Sequence, residues 1–122
     1  MIRAIDHVQV LAPVGSEDEA RSFFGGLLGL DEVPKPEALA ARGGVWFAVG
    51  SAQQLHVSVE EPFAPATRAH PAFVVDDLDG LRARLEGAAV AVREDVPWEG
   101  VRRFHASDPF GNRIEFLQEA AA

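Results

Sequence analysis

Four side chains that can bind a divalent cation lie at matching places in a sequence that reads as a duplicated unit. His7 and His56 lie near the two ends of the first copy, and His70 and Glu115 lie near the two ends of the second. Imidazole and carboxylate groups are common ligands of transition metals. Matched placement of four such groups predicts a metal site with these residues as its ligands.

The composition limits the chemistry and the partners of such a site. The 122 residues include no cysteine, so any metal must be held by nitrogen and oxygen. A net charge of -8 argues against nucleic acid or an anionic membrane surface as the main partner, and it leaves a cationic ligand open. We expect no signal peptide, no membrane span and a cytoplasmic location, because the sequence has no long apolar run.

The elements that must position these residues follow one order, beginning with the first copy. A strand over 4–11 is followed by a helix, for which Ser16 and Glu19 form a predicted capping box. Gly29 is placed to end the helix in a left-handed conformation. Three further strands are predicted, over 31–33, 44–49 and 53–60.

The second copy repeats that order. A strand over 71–75 leads to a helix with Asp77 as its N-cap and Gly87 at its end. Strands over 89–92, 101–107 and 112–118 follow. The chain is therefore predicted to be one α+β domain over 1–122, with an N-terminal βαβββ module over about 1–62 and a C-terminal one over about 67–120.

Strand alternation indicates which side chains share a face. His56 lies on the polar face of its strand, and Glu115 lies opposite two apolar neighbours. His7 shares a face with Gln9, which is therefore a candidate for contacting a substrate oxygen. By the same alternation, Asp6 is predicted to point away from His7 and not to support it.

The sequence resembles the vicinal oxygen chelate superfamily, which includes glyoxalase I, extradiol dioxygenases, fosfomycin-resistance enzymes and bleomycin-resistance proteins. The segment 108–116 looks like the family's closing turn and ligand-bearing strand, supported by 5–8 near the start. The resemblance implies paired βαβββ modules whose sheets curl around a cupped metal site. The family's ligand positions correspond here to the following residues: His7, His56, His70 and Glu115. It also implies a homodimer, in which modules pair within one chain or between chains.

The predicted ligand set contains three histidines and one glutamate. Imidazole-rich ligation suits Zn, Ni, Co or Fe better than Mg or Ca, and Mn with mixed ligands also fits. With a single carboxylate the bound cation keeps more positive charge, so it should favour an anionic oxygen. An alternative set omits His56: His7, His70 and Glu115 form a two-histidine, one-carboxylate triad. His56 would then act as a base beside it.

The expected function is that of a metal-dependent enzyme that chelates two oxygens of a small, anionic substrate and stabilises an oxyanion. A glyoxalase-like isomerase or lyase is favoured, with Glu115, His56 and Gln9 as the candidate catalytic residues. The alternatives are an extradiol dioxygenase, a fosfomycin-type transferase, or a bleomycin-resistance-type protein that binds a drug without catalysis.

Other residues with possible chemistry are more simply explained as structural. Trp46 and Phe104, taken as equivalent positions of the two copies, are predicted to be packing residues. His105 then corresponds to Phe47, which favours a place in the core over acid or base work. A loop around Trp98 is flanked by three arginines that could recognise an anion or could be ordinary surface residues: Arg93, Arg102 and Arg103.

Overall fold

The computed structural model describes residues 1–120, which form two compact units. One covers Met1–Pro65 and the second begins at Ala66. Each unit contains one four-stranded sheet. Within residues 1–120, no helix is long and apolar enough to span a bilayer.

The first unit has the predicted order of strand, helix and three strands. Its strands are β1 (His7–Ala12), β2 (Glu32–Val33), β3 (Val45–Val49) and β4 (Gln53–Val59), arranged in the sheet order β1-β4-β3-β2. The first helix, α1 (Glu17–Ala20), continues as a π-helical segment, Arg21–Leu27, and a short helix α2 (Glu37–Ala40) precedes β3. Strands β1 and β4 pair in parallel, whereas the other pairs are antiparallel.

One face of this first sheet forms the core with the first helix. Phe24 is fully buried and its ring lies 5.8 Å from that of Phe47. Other buried residues alternate along the strands: Val10, Ala12, Val45, Leu55 and Val57. Because successive strand residues point to opposite faces, the residues between them lie on the other face of the sheet. His7, Gln9 and His56 belong to that second face.

The predicted capping box at the start of α1 is wrong. Ser16 occupies the N-cap position, but its hydroxyl donates to the Pro13 carbonyl at 2.5 Å and makes no cap hydrogen bond, and Glu19 is exposed. The negative charges of the acidic residues in the first turn still stabilise the helix start, because they lie at the positive end of the helix dipole. The predicted helix end is confirmed, since Gly29 has a φ of +75° just beyond the segment.

The second unit repeats the architecture. It comprises β5 (Ala72–Val74), α3 (Leu78–Gly87), β6 (Val92–Glu94), β7 (Arg102–Ser107) and β8 (Arg113–Gln118), with the sheet order β5-β8-β7-β6. Asp77 caps α3 as predicted, because its carboxylate accepts from the Gly80 N–H at 3.0 Å. The structure thus confirms an α+β fold built from two βαβββ modules.

Strand registers correct one predicted equivalence between the modules. Trp46 pairs with His56 across β3 and β4, whereas His105 pairs with Glu115 across β7 and β8. Trp46 therefore corresponds to His105, and not to Phe104. A one-residue shift exchanges the two faces of a strand. The prediction of Trp46 as a packing residue and of His105 as the counterpart of a core phenylalanine rested on that shift.

Candidate metal centre

In the first module, the parallel pairing of β1 and β4 brings the two predicted ligands together. The rings of His7 and His56 are stacked, with centroids 4.1 Å apart and an interplanar angle of 17°. The indole of Trp46 stacks on His56 at 3.7 Å and 1°. Because β4 lies between β1 and β3, the His56 imidazole is held between Trp46 and His7. Trp46 is thus part of the site.

Hydrogen bonds determine which nitrogen of each ring carries the proton. His7 Nδ1 lies 2.9 Å from a carboxylate oxygen of Asp6, and His56 Nε2 lies 2.8 Å from the amide oxygen of Gln54. Since both oxygens accept, each ring donates through that nitrogen, which leaves its other nitrogen as the one able to bind a cation. The prediction that Asp6 points away from His7 is wrong, because Asp6 precedes β1 and strand alternation does not extend to it.

His56 is the more protected of the two imidazoles. Burial lowers its pKa below the usual value for histidine, and the neighbouring charge of His7 lowers it further. His56 is therefore neutral at pH 7, the form in which an imidazole acts as a metal ligand or a base.

In the second module, the predicted ligands are in direct contact. His70 Nε2 lies 2.9 Å from Oε1 of the buried Glu115, while His70 Nδ1 lies 2.7 Å from the Arg68 carbonyl oxygen. Because the backbone oxygen accepts the Nδ1 proton, the close approach of Nε2 to the carboxylate oxygen requires either a shared proton, as in an ordinary hydrogen bond, or a metal ion between the two atoms.

The 2.9 Å between His70 Nε2 and Glu115 Oε1 is the length of an ordinary hydrogen bond, and the same imidazole and carboxylate groups are of the types that ligate a divalent ion. Ligating histidines also usually donate their second N–H to a carboxylate or a carbonyl, as His7 and His70 do here.

His105 is a neighbour of this second pair but not a ligand candidate. Its Nδ1 accepts from Arg113 Nε at 2.5 Å, so the neutral ring carries its proton on Nε2, which lies 3.6 Å from Glu115 and 3.3 Å from Asp95. Burial lowers the pKa of His105, and Arg113 lowers it further. His105 Nε2 also lies 3.3 Å from Arg103 Nη1 and 3.4 Å from Arg113 Nη2, so cationic groups approach both ring nitrogens and make His105 a poor metal ligand.

Arg103 is the other support of Glu115. Its guanidinium lies 3.4 Å from Glu115 Oε1 and 3.2 Å from Asp95 Oδ2, and it stacks over the Trp98 ring at 4.5 Å. Arg102 instead pairs with Asp79. Arg102 thus pairs with a residue of α3, whereas Arg103 contacts the candidate ligand Glu115. The sequence alone did not predict the Arg103–Glu115 contact, because it depends on how β7 pairs with β8.

Gln9 lies on the same face as His7 and His56. Its amide oxygen accepts from the Ser58 hydroxyl at 2.8 Å, which leaves its NH₂ group available to donate. Gln9 and Ser58 line a cavity of about 240 Å³ in the first unit. The predicted substrate contact of Gln9 is compatible with this position.

The four predicted ligands thus form two contacting pairs, one in each module. Among residues 1–120, no three histidine, aspartate or glutamate side chains are grouped so that they could hold one metal ion. Each module by itself supplies two candidate ligands.

Comparisons with known proteins agree with this fold. A family model described as Glyoxalase/Bleomycin resistance protein/Dioxygenase superfamily matches residues 4–116. A Bacillus anthracis protein described as a glyoxalase family member is 51% identical, with a TM-score of 0.93 and coverage of 98% of this chain and 97% of that one. A search of curated proteins found no significant match.

Two further solved structures are of proteins described by different functions. An antibiotic-binding protein from Streptomyces is 27% identical, with a TM-score of 0.75 and 98% of each chain covered. A lactoylglutathione lyase from Agrobacterium tumefaciens is 24% identical, with a TM-score of 0.73, covering 97% of this chain and 95% of that one. The second likeness is one of fold alone.

Proposed function

Because the chain belongs to the glyoxalase/bleomycin resistance protein/dioxygenase superfamily, we propose that it is a metal-dependent enzyme acting on a small anionic substrate with two neighbouring oxygens. The proposed ligands are His7, His56, His70 and Glu115, and the metal is Zn, Ni, Co, Fe or Mn. A glyoxalase-like isomerase or lyase is the favoured activity.

One observation carries the proposal. Each of the three histidines has one ring nitrogen within hydrogen-bond distance of a protein oxygen, which leaves its other nitrogen as the one able to bind a cation, and in His70 that other nitrogen lies 2.9 Å from Glu115. His105, the fourth histidine of the chain, has the opposite arrangement, since Arg113 donates to its Nδ1. This difference supports His7, His56 and His70 over His105 as the proposed ligand histidines.

The bound metal would supply a Lewis acid for an oxyanion that develops on the substrate. The chain's own residues would orient the reaction. Gln9 can donate its NH₂ group to a substrate oxygen, because Ser58 occupies its amide oxygen. Glu115 Oε1 can accept a proton from the substrate and return it, while a hydrogen bond from Arg103 at 3.4 Å orients it.

We also propose that the protein is a homodimer and that a complete site combines a first-module pair with a second-module pair. Two ligands in each module are too few for a site with three or four protein ligands. Sedimentation velocity at micromolar concentration should give a species of twice the chain mass. A monomer that still binds metal would restrict the site to modules of a single chain.

Metal content tests the proposal directly. Protein purified without an affinity tag should contain about one divalent ion per chain by elemental analysis, and the His7→Ala and Glu115→Gln variants should lose most of it. Glu119→Gln is the matched control, because Glu119 is an exposed carboxylate near the end of the described chain. A metal-free wild type that takes up no added Zn, Ni, Co, Fe or Mn would refute the proposed function.

The second candidate is a protein that sequesters an antibiotic without catalysis. The 27% identical antibiotic-binding protein and the net charge of -8 favour it. Calorimetric titration with a cationic glycopeptide such as bleomycin distinguishes the two. Tight binding that is unchanged in the His7→Ala and Glu115→Gln variants would support this candidate over the enzyme.

A further inference from the structure

The cavity in the first module contains an unusual concentration of positive charge for this acidic chain. It is lined by apolar and polar groups together with two cationic side chains: Gln9, Lys35, Leu39, Arg42, Gly43, Trp46, Ser58 and Val59. No aspartate or glutamate is among these lining residues, although the Glu17 carboxylate behind Gly43 accepts from the Gly44 N–H and attracts Lys35. One counter-charge beside two cations leaves a net positive charge at this cavity of a chain with a net charge of -8, which favours an anion.

We propose that this cavity binds the oxyanion end of a small organic acid, a carboxylate or a phosphate ester, through Lys35 and Arg42. This deepens the proposed function, because it assigns a binding residue pair to the part of the substrate that does not reach the metal. The cavity of about 240 Å³ holds about eight water volumes, so it suits a compact metabolite better than a drug-sized molecule.

The Gly43–Gly44 turn, which follows Arg42 and contacts Lys35, is held by specific hydrogen bonds. The Lys35 ammonium donates to the Gly43 carbonyl, and the Gly44 N–H donates to Glu17 Oε2 at 2.8 Å. The peptide group between the two glycines is thus held on both sides. Gly44 has a φ of +87°, and a Cβ at this position would lie 2.2 Å from the Val57 carbonyl oxygen. The turn is therefore closely packed on β4.

Both cations retain donors for a ligand. An ammonium has three N–H donors, and within residues 1–120 Lys35 uses one of them on Gly43. Arg42 has no side-chain hydrogen bond or ion pair with any residue of that range, so its guanidinium can bind an oxyanion in two-point fashion.

The cavity also adjoins the candidate metal ligands of this module. Trp46 lines the cavity and stacks on His56, and Gln9 lines it from the strand that carries His7. The charge of Lys35 contributes to the lowered pKa of His56, after burial and His7. A substrate held here by its anionic end can therefore present another oxygen towards the histidine pair.

The Trp46 indole provides a direct probe of binding. The chain has two tryptophans, and Trp98 lies in the second unit, so a Trp98→Phe variant assigns the Trp46 signal in a ¹H–¹⁵N correlation spectrum. We would titrate the protein as purified, and again with a chelator, using succinate and glycerol phosphate. Succinamide and glycerol are the neutral counterparts. The anions should shift the Trp46 signal in a saturable manner, and the neutral compounds should not.

Charge variants test the assigned residues. Arg42→Gln should weaken binding of the preferred anion at least tenfold, which is the order expected for a charge-assisted hydrogen bond. Arg84→Gln is the matched control, because it makes the same change of charge on an exposed position of α3. Lys35→Gln should also weaken binding, and Lys35→Arg should restore part of it, in proteins with an unchanged circular dichroism spectrum.

The outcomes separate this inference from the metal proposal. Anion binding in the presence of the chelator supports the cavity assignment even if the protein proves to lack a metal. Equal shifts with succinate and succinamide, or unchanged affinity in Arg42→Gln, would overturn it. A response to only one of the two anions identifies the oxyanion as carboxylate or phosphate.

Discussion

The turn from Asp108 to Asn112 allows a quantitative prediction about how β8 and its Glu115 are positioned. The buried Asp108 carboxylate accepts three N–H groups: from Phe110 N at 2.9 Å, Asn112 N at 2.9 Å and Asn112 Nδ2 at 2.8 Å. The Asn112 side-chain oxygen in turn accepts from Ala66 N at 2.9 Å. The turn therefore joins the start of β8 to the first residue of the unit.

We predict that Asp108→Ala destabilises the protein by about 3–5 kcal/mol. A hydrogen bond to a charged acceptor contributes about 1.5–3 kcal/mol, and the three are not additive because they share one carboxylate. Such a loss is a large part of a total stability of about 5–15 kcal/mol. The melting temperature should fall by about 10–20 °C.

Asp108→Asn is the matched control for this prediction. Both backbone N–H groups are accepted by Oδ1, which an asparagine retains, whereas the bond from Asn112 Nδ2 to Oδ2 is lost. Burial raises the pKa of the Asp108 carboxyl, so removal of its desolvated charge offsets part of that loss. Asp108→Asn should cost about 1 kcal/mol.

Urea unfolding followed by circular dichroism measures both variants. The reasoning would be refuted if Asp108→Ala lay within 1 kcal/mol of the wild type, or if Asp108→Asn were as unstable as Asp108→Ala. Intact metal binding in a folded Asp108→Ala protein would separately show that the turn does not position Glu115.

Two further predictions concern stability. The pKa values of His56 and His105 are both lowered mainly by burial, so the folded state binds fewer protons than the unfolded one. Metal-free protein should therefore lose stability as the pH falls below about 6.5. The loss should be at most about 1.4 kcal/mol per pH unit for each histidine. Urea titrations between about pH 7.5 and 5.5 measure it. Gly44→Ala should cost more than about 3 kcal/mol or prevent folding, because its Cβ would lie 2.2 Å from the Val57 oxygen. Gly50→Ala is the control, because Gly50 also has a positive φ but has open space around it, and it should cost about 1 kcal/mol. Thermal melting measures both variants.

The elements of the fold could be predicted because periodicity is a local property of the sequence. Asp77 and Gly29 mark helix boundaries through their own backbone and side-chain chemistry, and the structure confirms both. The Ser16 cap failed because the same hydroxyl can also donate to Pro13, a choice that depends on the path of the preceding loop. Local signals identify a helix start more reliably than they identify its hydrogen bonds.

Residues around the candidate site were harder to predict, because their neighbours come from other strands. The place of His105 beside Glu115 depends on the pairing of β7 with β8, and a one-residue error in alignment moved it to the wrong face. Asp6 was misplaced because the first strand begins at His7, one residue after it. Burial, which lowers the pKa of His56, also depends on the assembled sheet and not on sequence spacing.

The equivalence of Trp46 and His105 suggests how a duplicated module came to have two roles. Both residues pair with a candidate ligand, His56 or Glu115, from the neighbouring strand. An indole stacked on a neutral imidazole leaves an uncharged site wall beside the cationic cavity. At the same position of the second module, the His105 imidazole lies 3.6 Å from the buried Glu115 carboxylate, which Arg103 contacts at 3.4 Å. If the proposed function holds, this difference at a shared position gives the first module an uncharged wall beside its candidate ligand, while the second module surrounds its carboxylate with cationic and imidazole groups.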